Sequence, residues 1–101
     1  MNKHIILLFI ILCIGLTKAS AQHSITGKVL DATNQEPIPF ASVTIKNVKS
    51  GTTTDNNGNF TLKVNNNDIL IVSFMGYETK EVNIGTQKKV TILLSESSVL
   101  L

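Results

Sequence analysis

Tryptophan and arginine are absent from this 101-residue chain, and cysteine occurs once, at Cys13. Proline and histidine occur twice each and tyrosine once. Each shortage removes a class of function. A nucleic-acid binder is expected to show a basic patch and planar guanidinium forks, and neither is visible, so nucleic acid is not expected as a partner. Beyond residue 21 no cysteine remains, so that region has no disulfide even in an oxidising compartment. Only His23 remains there among the histidines, and it reads as a solvated residue of a frayed end. One histidine cannot assemble a Ser–His–Asp or Cys–His arrangement, and it leaves a zinc site short of ligands. No Gly-x-Ser-x-Gly elbow and no phosphate-cradling glycine loop is present. The catalytic, metal and cofactor-binding sets are therefore all read as none, and the chain as not an enzyme.

What the N-terminus does have is the three-part pattern of a secretory signal. Lys3 supplies the positive end, Ile5 to Leu16 carries no charge, and Ala19-Ser20-Ala21 fits a small-x-small cleavage site. Cleavage is placed after Ala21. The apolar run is shorter than the roughly 20 residues a membrane span needs. Lipidation at Cys13 is disfavoured, because Ile10-Ile11-Leu12 before it are bulky. Residues 22–101 form one small domain. They keep seven lysines against seven carboxylates, so a polybasic membrane-surface role is not expected either.

Residues 25–29 alternate, with Ile25, Gly27 and Val29 on one side, which is the period of a half-buried strand. A polar loop from Asp31 closes on Pro37 and Pro39, and a second strand restarts there with Phe40, Ala41, Val43 and Ile45 facing in. A turn at 47–51 leads to a short strand at 52–54. Asp55-Asn56-Asn57-Gly58 reads as a hairpin turn with Gly58 at positive φ. Phe60, Leu62 and Val64 alternate after it. Asn65 to Asp68 turn the chain, and Ile69 to Phe74 form an unbroken apolar run that suits a strand covered on both faces. Val82 and Ile84 face in from a more polar strand, and Val90, Ile92 and Leu94 end the series. About seven short strands at this spacing predict an all-β sandwich. A transmembrane barrel needs longer strands and at least eight of them.

Two local patterns carry an alternative reading. Asp55, Asn57 and Asn59 could offer alternate oxygens to calcium, but an EF-hand needs Gly sixth and Glu twelfth, where Phe60 and Asn66 stand. Asn59-Phe60-Thr61 matches a glycosylation sequon, which matters only in a eukaryotic secretory pathway. Tyr77 could stack on a sugar, yet it reads better as a half-buried anchor at a sheet corner with its hydroxyl paired.

Three segments then line up in order: Ile25–Asp31 with Glu36-Pro-Ile-Pro-Phe-Ala-Ser-Val43, Gly51-Thr-Thr-Thr-Asp-Asn-Asn-Gly-Asn-Phe60, and Val72-Ser-Phe-Met-Gly-Tyr77. Together they resemble the carboxypeptidase-regulatory-like domain, over residues 23–95. The resemblance implies a transthyretin-like, seven-stranded Greek-key β-sandwich without catalytic residues. The variant is similar to the periplasmic domain at the N-terminus of SusC/RagA-type TonB-dependent outer-membrane transporters of Gram-negative bacteria. That likeness implies import of nutrients, often glycans, and protein partners such as the plug, the barrel or the TonB system. The implied organisation is a signal peptide at 1–21, the sandwich at 22–95, and a tail at 96–101 where a linker would begin. The alternative is a stand-alone exported sandwich that binds a protein or carbohydrate. Gly27, Pro37, Pro39, Phe40, Gly51, Asp55, Gly58, Phe60, Gly76 and Tyr77 are singled out as structural motif residues. Gly51, Gly58 and Gly76 supply backbone freedom, Asp55 caps its turn, and Phe40, Phe60 and Phe74 fill the core.

Overall fold

Period-two alternation in the sequence becomes seven strands in the computed structural model, which describes residues 22–98. Residues 1–21, where a signal peptide is expected and where Cys13 falls, lie outside the described residues, as do residues 99–101. The strands are β1 (Gln22–Asp31), β2 (Ser42–Ile45), β3 (Gly51–Thr53), β4 (Asn59–Asn65), β5 (Ile69–Ser73), β6 (Lys80–Asn83) and β7 (Lys89–Leu94). One sheet has the order β4-β1-β7 and the other β3-β2-β5-β6. All neighbours are antiparallel except β1 and β7, which run parallel. The chain changes sheet after β1, β3, β4 and β6, giving a Greek-key sandwich.

The core lies between the two inner faces, where each strand buries alternate residues. Ile25, Val29, Phe60, Leu62, Val64, Ile92 and Leu94 come from the first sheet. Val43, Ile45, Leu70 and Val72 come from the second, with Ile84 just past β6. Gly27 faces inward between Ile25 and Val29, directly across from Phe60 in the β1–β4 register. The Phe60 ring occupies the space where a Gly27 side chain would project. We expect Gly27→Ala to cost about 1–3 kcal/mol by overpacking. In a Phe60→Leu background the same change should cost less, because the ring has been removed. Denaturant titration of the four variants measures that coupling, and simple additivity would count against ring-over-glycine packing.

Four expectations are corrected. Asp55–Gly58 is a turn with Gly58 at φ 76°, but not a hairpin, since β3 and β4 belong to opposite sheets. Phe40 does not fill the core: it is 64% exposed and sits at φ 61°. Ile38, between the two prolines, goes inside instead, followed by Ala41. A bulky L-residue at positive φ is an outlier, costing about 1–2 kcal/mol in backbone sterics. Third, β5 is covered on one face only. Leu70 and Val72 are fully buried, whereas Ile69 and Ile71 lie half-buried on the outer face, and Phe74 is half-buried beyond the strand end. Fourth, His23 is no frayed residue. It pairs with Val64 within β1–β4, and its Nε2 lies 3.0 Å from the Gln87 carbonyl.

Candidate functional site

β1 and β7 run side by side, so both finish at the same end of the sandwich, here called the exit end. The loops 32–41, 54–58, 74–79 and 95–98 meet there. Most of the singled-out residues meet there too: Pro37, Pro39, Phe40, Asp55, Gly58, Gly76 and Tyr77. Gly27 and Phe60 lie within the first sheet, below this end. Gly51 stands apart on β3, where an added Cβ would come within 2.7 Å of the Val43 carbonyl oxygen.

Backbone and side-chain bonds tie these loops together. The Thr54 hydroxyl, in a residue 1% exposed, donates to the Ile38 carbonyl at 2.7 Å and accepts from the Ala41 N–H at 2.8 Å. The Thr54 carbonyl accepts from the Phe40 N–H. Asp55 Oδ1 accepts from the N–H groups of Asn57 and Asn59, both at 2.9 Å, so one oxygen of the suggested calcium ligand set serves the turn itself. Among the described residues no group of three or more His, Cys, Asp or Glu is placed to hold a metal.

On the opposite side of this end, the Tyr77 hydroxyl donates to Asp31 Oδ2 at 2.6 Å. Asp31 Oδ1 accepts from the Thr33 N–H at 2.7 Å. The bond to Asp31, with burial and the nearby charges of Asp31, Glu96 and Glu36, pushes the Tyr77 hydroxyl up to about 12. The Asp31 carboxyl is held below its ordinary range, first by the Tyr77 bond and then by the Thr33 N–H, against the opposing effect of burial. This pair is anchored rather than reactive: the hydroxyl keeps its proton and the carboxylate is already satisfied. Thr54 and Asp31 were both missed as site residues. A lone threonine after Thr52-Thr53 carries no local sign that it will turn inward, and Asp31 meets its partner 46 residues away.

A lowered Asp31 contributes stability above its unfolded value of 3.8, lost as pH falls through the folded value. A raised Tyr77 contributes stability below about 10 that is lost as pH rises toward about 12. Tyr77→Phe should therefore unfold at lower urea than the parent at pH 7. The gap should narrow both above pH 10 and in strong acid. A gap independent of pH would mean the hydroxyl–carboxylate bond contributes nothing.

A separate hollow of about 530 Å³ opens on the outer face of the first sheet, rimmed by Thr26, Lys28, Asn59, Thr61, Lys89 and Thr91. It carries no carboxylate and no histidine, so it offers no acid–base pair.

Fold and site together define a small β-sandwich, tied at one end by an Asp–Tyr bond and a buried threonine. The family model described as CarboxypepD_reg-like domain matches residues 25–101, and the chain belongs to that family. It is 34% identical over 100 residues to the TonB-dependent receptor SusC of Bacteroides thetaiotaomicron, covering 99% of this chain and 10% of that protein. A TonB-dependent receptor of Formosa agariphila is 28% identical over 93 residues, covering 91% of this chain and 9% of that one. The chain thus spans about a tenth of the length of these relatives. Two solved structures share the fold. A Bacteroides fragilis protein superposes with TM-score 0.57 and 23% identity, over 83% of this chain and 31% of that one. A chain of a type II cohesin–X-dockerin complex from Acetivibrio cellulolyticus gives TM-score 0.57 and 21% identity, over 70% of this chain and 56% of that one.

Proposed function

We propose that this chain is the N-terminal part of a TonB-dependent outer-membrane receptor, and that the sandwich is its non-catalytic periplasmic interaction module. The observation that carries the reading is the end-to-end alignment with SusC, which takes in 99% of this chain. The Lys3, Ile5–Leu16 and Ala19-Ser20-Ala21 pattern supports export with cleavage after Ala21. The anchored Tyr77–Asp31 pair and the satisfied Thr54 hydroxyl support a structural role for the motif residues. Uptake of a nutrient, glycans included, would belong to the remainder of such a receptor, with the sandwich contacting proteins on the periplasmic side.

The test begins with the reading frame after codon 101, which this proposal expects to continue into plug and barrel sequence. A stop codon there would turn the reading to a stand-alone exported sandwich. Mass spectrometry of the exported product should find Gln22 as its first residue. A product beginning at Met1, or one lipidated at Cys13, would overturn the cleavage site. Cell fractionation should place the product with the outer membrane. Hydrolytic turnover by the purified protein would sink the non-catalytic reading.

A further inference from the structure

We propose that the exit end is a docking surface for a protein that presents an apolar socket edged with lysine or arginine, Phe40 and Met75 being the side chains inserted. This rests on the reading of the sandwich as an interaction module, and not on which receptor carries it. Phe40 and Met75 are 64% and 91% exposed. They lie two residues outside the Ser42–Ser73 register pair, at adjoining ends of β2 and β5. Met75 is pushed outward by a tight turn, in which Tyr77 N–H donates to the Phe74 carbonyl and Gly76 takes φ 88°. A highly exposed aromatic and a highly exposed methionine at the same end of the fold are residue types enriched at interface anchors.

Three further observations favour this occupant. Phe40 is held at φ 61°, a backbone position an aromatic side chain opposes, while Ile38 and Ala41 already fill the core beside it. Strain kept with no packing return points to use outside the fold. The exit-end loops hold Glu36, Asp55, Glu78 and Glu96 and no lysine, so this end of the fold is acidic as a whole, with Glu36 and Glu96 near Tyr77. Charge complementarity therefore selects a basic-edged partner, and it disfavours both a second copy of this end and an anionic lipid surface. The chain also leaves the fold here, with Ser97 N–H donating to the Gly76 carbonyl at 2.8 Å. Whatever follows in a longer polypeptide starts beside the patch.

The test has two arms. In cells that make the protein, benzoylphenylalanine is placed at position 40, and separately at Val48, which is 54% exposed at the opposite end. Irradiation should give a discrete protein adduct from position 40 that position 48 does not give. The cross-linked partner peptide should carry Lys or Arg beside apolar residues. Met75→Ser, and Glu36→Lys combined with Glu78→Lys, should each reduce the adduct at least fivefold. No adduct, a self-adduct, a lipid adduct, the same adduct from both positions, or indifference to charge reversal would each overturn the proposal. In the second arm the purified Phe40→Gly protein should unfold at a midpoint equal to or above the parent's, since glycine relieves the positive φ. A lowered midpoint would assign Phe40 to packing and end the argument. The two readings fail separately. An adduct with a protein outside any transporter sinks the receptor reading and leaves the surface standing. A frame that continues into a barrel, with no adduct, does the reverse.

Discussion

Gly58→Ala should lower the unfolding free energy by about 2–4 kcal/mol, read by denaturant titration with far-ultraviolet circular dichroism. Two costs combine. Gly58 sits at φ 76°, where an L-residue costs about 1–2 kcal/mol. In addition, a Cβ there would lie 2.7 Å from the Val29 carbonyl oxygen and 3.1 Å from the Pro37 Cβ. That carbonyl cannot move freely, because it accepts from the Ile38 N–H at 2.9 Å while the Val29 N–H donates to the Gly58 carbonyl at 2.8 Å. Backbone from three segments meets around one missing side chain. An alanine forces that junction apart or leaves the new methyl overlapping rigid backbone. A loss below about 1 kcal/mol would mean that the turn can relax away from β1 and that the close approach is not a constraint.

Thr54→Val should cost about 2–4 kcal/mol, although valine is the more apolar residue and nearly the same shape. The hydroxyl serves two backbone groups, the Ile38 carbonyl and the Ala41 N–H, at a position 1% exposed. Leaving a buried polar group unpaired costs about 1–3 kcal/mol. Thr54→Ser retains both bonds and removes one methyl, for about 1 kcal/mol. Serine should therefore be the better tolerated substitute. The opposite order would show that the site responds to apolar burial and not to its hydrogen bonds.

Both predictions rest on features that the sequence discloses unevenly. Alternation around Ile25, Phe60 and Ile92 reveals strands because each has one wet face, and side-chain period alone reports that. The same period is hidden in Ile69-Leu70-Ile71-Val72, where the outer residues are apolar as well, so a one-sided strand looks doubly covered. Gly58 is legible as a positive-φ residue from the Asp-Asn-Asn-Gly turn. Turn chemistry does not state whether the flanking strands pair, and here they part to opposite sheets. The Pro37-Ile-Pro39 stretch shifts the phase of burial, so Ile38 enters the core while Phe40 leaves it. The Tyr77–Asp31 bond links residues 46 apart, and no local pattern announces a partner at that separation. Family likeness supplied the architecture, but these contacts depend on three-dimensional neighbours.

The parallel register of β1 and β7 has a mechanical consequence. Tension between the two termini would drag these neighbouring strands lengthwise past each other along six matched residue pairs. Their bonds would then have to yield together instead of peeling one at a time. A tug on the polypeptide from either side would thus load the β1–β7 pair in shear.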